Sequence, residues 1–350
     1  MLADLAMRDG QPVVAFDLFG DLDLRRSGAR VVVRDGLTAL VDAAVELPPS
    51  GVVYGASFEN HPALVARLGE RHVLLGNTPG TLRAVRDPQR LGDALRDAGL
   101  LFPRTLAVAP DSGRWLRKPL RGGGGTRVHA WRGGALPAGM VVQERIDGVA
   151  CSAAAVGNSV DAVVLGLSEQ LVGRRAFGVN GYRWCGNLVP PRVPTTALLE
   201  QARAICSCLA SAFALRGLFG VDLVWDGERA WTIEVNPRPT ASLEAMHADG
   251  LFVAHLQACA GELPRIDAER DGASGKVVLF ATEDVVIGDS ERWLDRGVRD
   301  VPHPGERIAA GRPICTVLAS GATPDEVLAS LEAQAAQLRA ELKVGVAAGG

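Results

Sequence analysis

Two acids on an otherwise apolar hairpin constrain this chain more than any other feature. The run Val221–Trp225 is followed by Asp226-Gly227-Glu228-Arg229 and then by Ala230–Val235. An Asp-Gly pair between two such runs predicts a β-hairpin. Residues two apart on a strand share a face, so Glu234 and Asn236 present two oxygens side by side. A turn centred near Gly227–Glu228 sets Asp222 opposite or diagonal to Glu234. Val224, Trp225, Trp231 and Ile233 make the hairpin largely apolar, so acids on it need a reason. Two close carboxylates repel unless a cation lies between them. Two carboxylates and an amide oxygen suit Mg2+, a hard ion that shares its remaining positions with phosphates and water. A polar strand facing solvent is the alternative.

A second feature lies upstream. Lys118 ends the predicted strand Trp115–Lys118, and Gly122, Gly123, Gly124 and Gly125 follow. Glycines reach positive φ freely, so successive amides can turn toward one anion. A lysine on the preceding strand brings its ammonium to the same place. Only three of the 37 basic residues are lysine (Lys118, Lys276 and Lys343), which adds weight to this one. A Walker loop puts its lysine after the glycines, and that order is absent here. A glycine-rich turn without a ligand would read the same. The third piece is Val141-Val142-Gln143-Glu144-Arg145-Ile146-Asp147-Gly148, an apolar strand running into polar residues and a turn. Alone it is only a strand end.

Composition excludes several classes. At 350 residues and 47% hydrophobic content the chain should form two or three domains with a sizeable core. A net charge of −3 gives no basic footprint for nucleic acid. The first residues lack the apolar core of a signal peptide, and no apolar run is long enough to span a membrane. No membrane partner and a cytoplasmic location are therefore expected. The six cysteines show no Cys-x-x-Cys pair. Cys206 and Cys208, roughly 200° apart around a helix, cannot share a metal. Free thiols in a reducing compartment are expected. His61, His72, His129, His247, His255 and His303 are scattered, and no Ser/His/Asp or Cys/His set stands out. No Gly-x-Gly-x-x-Gly follows the first strand, which argues against a dinucleotide dehydrogenase.

Local patterns divide the chain. Pro12–Phe19, Arg30–Arg34, Gly51–Ala56 and His72–Leu75 are β-rich runs with helical segments between them, a small parallel α/β layer. A helix is expected over Gln89–Ala98, ending at Gly99 with Pro103 beyond. From about 104 to 192 short strands predominate: Arg104–Val108, Trp115–Lys118, Val128–Trp131, Met140–Glu144, Ser152–Val156 and Ala162–Gly166. Antiparallel sheet is expected there. A long helix is expected over Thr196–Leu215, with Leu198, Ala202, Ile205, Leu209 and Ala212 as its apolar stripe and Gly217 as its stop. The last 80 or so residues read as a small β-rich piece ending in a helix that opens Thr323-Pro324-Asp325-Glu326, a capping box with proline at the first helical position.

The order of these pieces resembles the ATP-grasp superfamily. A strand lysine with a glycine loop is followed by Gln-Glu-x-Ile-x-Gly and then by a hairpin ending Glu-Val-Asn-Pro-Arg-Pro. Gly99-Leu100-Leu101-Phe102-Pro103-Arg104-Thr105 is similar to the end of that family's linking helices. The resemblance implies a mixed α/β and α+β chain in three parts. Residues 1–82 would be the pre-ATP-grasp α/β domain. Residues 83–262 would be the ATP-grasp domain, with one α+β lobe to about 142 and a second after the hinge, clamping ATP between them. Residues 263–350 would be the β-rich C-terminal region.

By that resemblance Lys118 holds the α- and β-phosphates of ATP under a lid of Gly122–Gly125. The backbone of Gln143, Glu144, Arg145 and Ile146 reads adenine. Asp222, Glu234 and Asn236 ligate Mg2+, and Arg238 steadies the transferred phosphoryl group. Two departures stand out. Asp87-Pro88 replaces the family's frequent Asp-Lys, with Arg86 or Arg90 as substitutes. Val149-Ala150-Cys151 follows Gly148 where an acid for the ribose often stands.

Ser168-Glu169-Gln170-Leu171-Val172, Phe177-Gly178-Val179-Asn180-Gly181-Tyr182 and Cys185-Gly186-Asn187 resemble a branch of predicted ATP-dependent carboligases. That branch is linked to methanofuran- or methanopterin-type one-carbon carriers. The implied activity is a carboxylate–amine ligase working through an acyl-phosphate, with small acids and amines as partners and homodimers common. The acceptor is expected near Arg174, Arg175, Asn180, Tyr182 and Arg183. A carboxylase or phosphotransferase on the same fold, or a degenerate ATP-binding subunit, are the rival readings.

Overall fold

The computed structural model describes residues 1–108, 112–246, 249–265 and 271–347; His247 lies outside them. The N-terminal layer is parallel, as expected, but forms two small sheets. Val14–Asp17 (β1) pairs with Arg30–Val33 (β2), and Gly51–Val52 (β3) pairs with Val73–Leu74 (β4). Helices Leu37–Val45 and Pro62–Arg71 pack beside them through Val41, Ala44 and Leu68. Between β3 and β4 a short turn, Phe58–Asn60, meets the rest of the chain through Glu59 and Asn60.

Two linking helices follow, Pro79–Val85 and Pro88–Asp97. Each has an oxygen-bearing cap and proline in its first turn. The Thr78 hydroxyl accepts from the Thr81 amide at 3.2 Å, and the Asp87 carboxylate accepts from the Gln89 and Arg90 amides at 2.9 and 3.3 Å. Both satisfy orphan donors of the first turn. The departure at Asp87-Pro88 is thus a helix start, since proline suits a position whose N–H needs no partner.

A four-stranded antiparallel sheet forms the first lobe. Its strands are Thr105–Leu106 (β5), Trp115–Pro119 (β6), His129–Ala130 (β7) and Met140–Glu144 (β8), in the order β5-β8-β6-β7. A seven-stranded sheet forms the second. It takes in Val149–Asn158 (β9), Ala162–Val172 (β10), Trp184–Val189 (β11), Arg216–Trp225 (β12), Ala230–Asn236 (β13) and Ala273–Phe280 (β14). A small antiparallel pair follows, Val285–Val286 (β15) and Arg307–Ile308 (β16), and Pro313–Gly321 (β17) returns to the large sheet. The order is β13-β12-β9-β10-β11-β14-β17. β14 and β17, from the segment expected as a small β-rich piece, therefore continue this sheet through the β11–β14 pairing.

The long helix spans Thr195–Phe213 and covers one face of that sheet. Leu198, Ala202, Ile205 and Leu209 are buried as expected, joined by Cys206, Ala210 and Phe213 against Cys151, Ala153, Val221 and Leu223. Ala212 is exposed instead, because the stripe continues from Leu209 to Phe213, four residues on. The helix ends with Ala214 in the left-handed conformation (φ 50°). Gly217 is not its stop: it lies inside β12. A second core under the helix Pro324–Ala347 joins Leu171, Phe177, Leu188, Val277, Val317, Leu331 and Leu338. Its capping box forms, with Thr323 accepting from the Glu326 amide at 3.3 Å while Glu326 accepts from the Ala322 amide at 3.0 Å. All six cysteines are free thiols. No described helix is long and apolar enough to cross a membrane.

Candidate nucleotide and metal site

The two sheets face each other across a cavity of about 1170 Å3. The hairpin register puts Asp222 directly opposite Glu234, ahead of a shift between Asp222 and Leu223. Gln170 Nε2 donates to Asp222 Oδ1 at 2.9 Å. Burial, and then the Glu234 charge, hold the Asp222 carboxyl well above the usual carboxylate range, while Arg238, Asn236 and Lys118 pull it back. Asn236 is buried next to them. Among the described residues no group of three or more His, Cys, Asp or Glu is placed to hold a metal. A divalent cation here would take two carboxylates and the Asn236 oxygen, leaving room for phosphate and water. That donor set suits Mg2+, and the repulsion that the Glu234 charge exerts on Asp222 is what a bound cation relieves.

Lys118 reaches this pair from the other sheet. Its ammonium donates to Gln143 Oε1 at 3.2 Å and lies 3.8 Å from Glu234 Oε2. Gln143 Nε2 donates in turn to Thr105 Oγ1 at 3.1 Å, so β5, β6 and β8 fix the lysine together. The side chain of Gln143 thus positions Lys118. The amides of Glu144 and Arg145 donate to the carbonyls of Arg104 and Arg114, both at 2.8 Å. The Ile146 amide makes no hydrogen bond among the described residues. The Glu144 carboxylate is held by Arg104 at 3.0 Å, and Asp147 by Arg114 and Arg145. Gly148 closes the hinge: a Cβ there would sit 2.2 Å from the Trp225 carbonyl.

In the glycine loop only Gly124 and Gly125 take positive φ, so the nest is shorter than four glycines suggest. The loop is pinned from two sides. Gly122 donates its amide to Asn60 Oδ1 at 3.1 Å, and Arg86 Nη2 donates to the Gly122 carbonyl at 2.6 Å. Across the cavity the Trp184 amide donates to the Gly124 carbonyl at 3.0 Å. Arg86 lines the cavity and its buried Nε has no partner among the described residues; Arg90 does not line it.

Arg238 is anchored by a residue that no motif marked. Its Nε and Nη2 donate to Glu59 Oε1 at 3.1 and 3.0 Å, and its Nη2 also reaches Asn236 Oδ1 at 3.3 Å. Glu59 comes from the Phe58–Asn60 turn of the N-terminal layer, far away in sequence.

Of the expected acceptor residues, Arg174 and Tyr182 line the cavity. Arg175, Asn180 and Arg183 do not. Their segment is a packing element: Phe177 and Val179 are buried in the C-terminal core, and the Arg183 guanidinium lies over the Phe280 ring at 4.2 Å. Further polar groups extend from the acid pair across the large sheet. Glu234, Asp222, Ser152 and Ser168 form one cross-strand row, and Gln170, Asn187 and Lys276 form the next. Paired residues share a face, and all seven line the cavity except Ser168, which links the rows. Ser168 Oγ lies 2.8 Å from Ser152 Oγ and accepts from Asn187 Nδ2 at 2.8 Å.

A hinge between two sheets, with a lysine and glycine lid on one and an acid pair on the other, defines the ATP-grasp fold. Residues 85–242, a little under half of the chain, match the model of the ATP-grasp domain, so that segment is an ATP-grasp domain. It is 30% identical over 155 residues to the formate-dependent phosphoribosylglycinamide formyltransferase of Anaeromyxobacter dehalogenans, a match covering 43% of this chain and 39% of that protein. The chain thus spans about two fifths of the curated relatives it matches. Among solved structures it resembles the biotin carboxylase domain of Hydrogenobacter thermophilus 2-oxoglutarate carboxylase, in complex with MgADP (TM-score 0.71, 13% identity, 94% of this chain and 85% of that one). It also resembles N5-carboxyaminoimidazole ribonucleotide synthetase of Thermotoga maritima (TM-score 0.65, 15% identity, 97% and 95%). At these identities the two structures speak for the fold.

Proposed function

We propose that the protein is an ATP-dependent carboxylate–amine ligase. A substrate carboxylate attacks the γ-phosphorus of ATP, giving an acyl-phosphate and ADP; an amine then displaces phosphate and an amide forms. Anion must approach anion in the first step, so catalysis is mainly positioning and charge neutralisation. Lys118 would hold the phosphates from the rigid sheet, with Arg86 taking the part of the lysine displaced by Pro88. Arg238, fixed by Glu59, would face the transferred group. Asp222, Glu234 and Asn236 would hold Mg2+, which neutralises the developing charge when bound. The observation that carries the reading is the Asp222–Glu234 pair set opposite Lys118. Mere scaffolding gives no reason to keep two carboxylates so close. The substrate named for the formyltransferase relative, formate, is itself a carboxylate.

The biotin carboxylases among the similar folds favour one second reading, in which bicarbonate is the acid. ADP release, measured against acids crossed with amines and against bicarbonate alone, separates the two. Precursors of methanofuran- and methanopterin-type carriers belong first in that panel, on the branch resemblance. A chain that binds no MgATP would end both readings. We read the assembly as a homodimer, which sedimentation tests.

A further inference from the structure

Lys276 is one of three lysines in the chain, and its side chain is only 4% exposed. Its ammonium donates to Glu244 Oε2 at 2.5 Å, and Glu244 is 14% exposed. Both line the cavity. Glu244 sits on the short helix Ala241–Met246, directly after the segment that presents Arg238. Burial alone would push its carboxyl up, but Lys276, then the N-terminal ammonium of Met1 and, less strongly, Arg299 together outweigh burial and keep it below the ordinary range. A buried ion pair is weak evidence of stabilisation, because taking both charges from water costs as much as their attraction returns. An apolar pair would serve packing better.

The place of the pair in the sheet separates it from the phosphates. Lys276 lies on β14 and Asp222 on β12, with β9, β10 and β11 between them. Four strand spacings make about 19 Å between backbones. Lys276 therefore meets the part of a substrate remote from the reacting carboxylate. The cavity has room for this, since its volume exceeds the range of about 300–1,000 Å3 usual for one small ligand.

Resting on the ligase reading above, we propose that Lys276 and Glu244 form a distal subsite for a zwitterion, an α-amino-acid-type group whose carboxylate meets Lys276 and whose ammonium meets Glu244. Opposite charges held side by side are matched only by a ligand carrying both. A plain carboxylate would bring a second anion against Glu244, and a plain amine a second cation against Lys276. Asn187, held by Trp184 Nε1 at 3.1 Å and by Ser168, is Lys276's cross-strand partner and fixes the floor.

The test uses the full chain, with MgATP binding measured first by calorimetry. ADP release is then compared for α-amino acids that carry a second, distal carboxylate, L-glutamate and its longer ω-carboxy homologues, and for their N-acetyl and α-carboxamide forms, each with an amine panel. The free forms should be preferred by about tenfold or more. Glu244→Gln should remove the penalty on N-acetyl forms, and Lys276→Gln the penalty on carboxamides. Failure of MgATP binding in the wild-type protein overturns the ligase reading itself. Intact MgATP binding with no preference for free amino acids overturns the subsite alone. So does a uniform loss of folding or of MgATP affinity in both variants, which marks the pair as structural.

Discussion

Lys118 and Glu234 stand on different sheets, yet their ammonium and carboxylate oxygen lie 3.8 Å apart. The contact is one of those that bridge the two lobes. In the ATP reading a divalent cation takes Glu234, and the phosphates take Lys118. Replacing Lys118 by Met removes an ammonium that faces the acid pair. MgATP affinity should fall by about a hundredfold, roughly 2.7 kcal/mol, as for a charge-assisted contact to phosphate. Calorimetry measures this directly, and an affinity within about twofold of wild type would remove Lys118 from the site.

Asp222 gives the pH dependence. Its carboxyl moves from 3.8 to about 7, through burial and then the Glu234 charge. A raised acid pKa means that the folded chain binds the proton more tightly than the unfolded one. That contribution to stability is fully present below about 3.8 and is lost as the pH rises through about 7. Melting temperatures without metal should therefore decline over this window in the wild type and stay flatter in Asp222→Asn. Metal binding has the opposite sense, because it needs the ionised pair: MgATP affinity should rise with pH over the same window.

Gly125 tests the lid. Its φ is +68°, and a Cβ would lie 1.8 Å from the Tyr182 carbonyl oxygen, a backbone atom that cannot turn aside. Gly125→Ala should keep the loop off the second lobe. The residue is outside every core cluster, so melting should change little while kcat/KM for ATP falls by about tenfold or more. Hydrogen exchange offers a second readout. Amides of Gly123–Gly125 should exchange fast without nucleotide and slow with MgADP, while that of Lys118, on its sheet, stays slow throughout.

Much of the site was legible because its geometry is local. The alternation of Asp222, Glu234 and Asn236 about an Asp-Gly turn fixes their common face, and Lys118 before the glycines follows from strand and loop chemistry. Antiparallel sheet after residue 104 was legible for the same reason, through short β-rich runs and turns. What failed was tertiary. Arg175, Asn180 and Arg183 looked like an acceptor loop by composition, but Phe177 and Val179 between them turn the segment into the C-terminal core. The joining of β14 and β17 to the large sheet depends on pairing with β11, a contact no local pattern announces. Lysine scarcity drew attention to Lys118 and applied equally to Lys276, whose place in the cavity only the register reveals.

Glu59 carries the last prediction. Its carboxylate holds Arg238 from a turn of the N-terminal layer, and the two side chains are 2% and 13% exposed. The pair ties that layer to the catalytic hairpin. Glu59→Ala leaves a nearly buried guanidinium without its counter-charge, which should destabilise the chain by about 3 kcal/mol. It should also lower kcat more than it raises KM for ATP, since on the ligase reading Arg238 would act on the transferred group rather than on the bound nucleotide. Adding Arg238→Met should recover a good part of the stability by removing the stranded charge, yet restore no activity. Chemical denaturation and steady-state kinetics on the two single variants and the double variant give both readings. Full activity in Glu59→Ala would mean that Arg238 needs no such anchor, and that the pair serves only to join the layers.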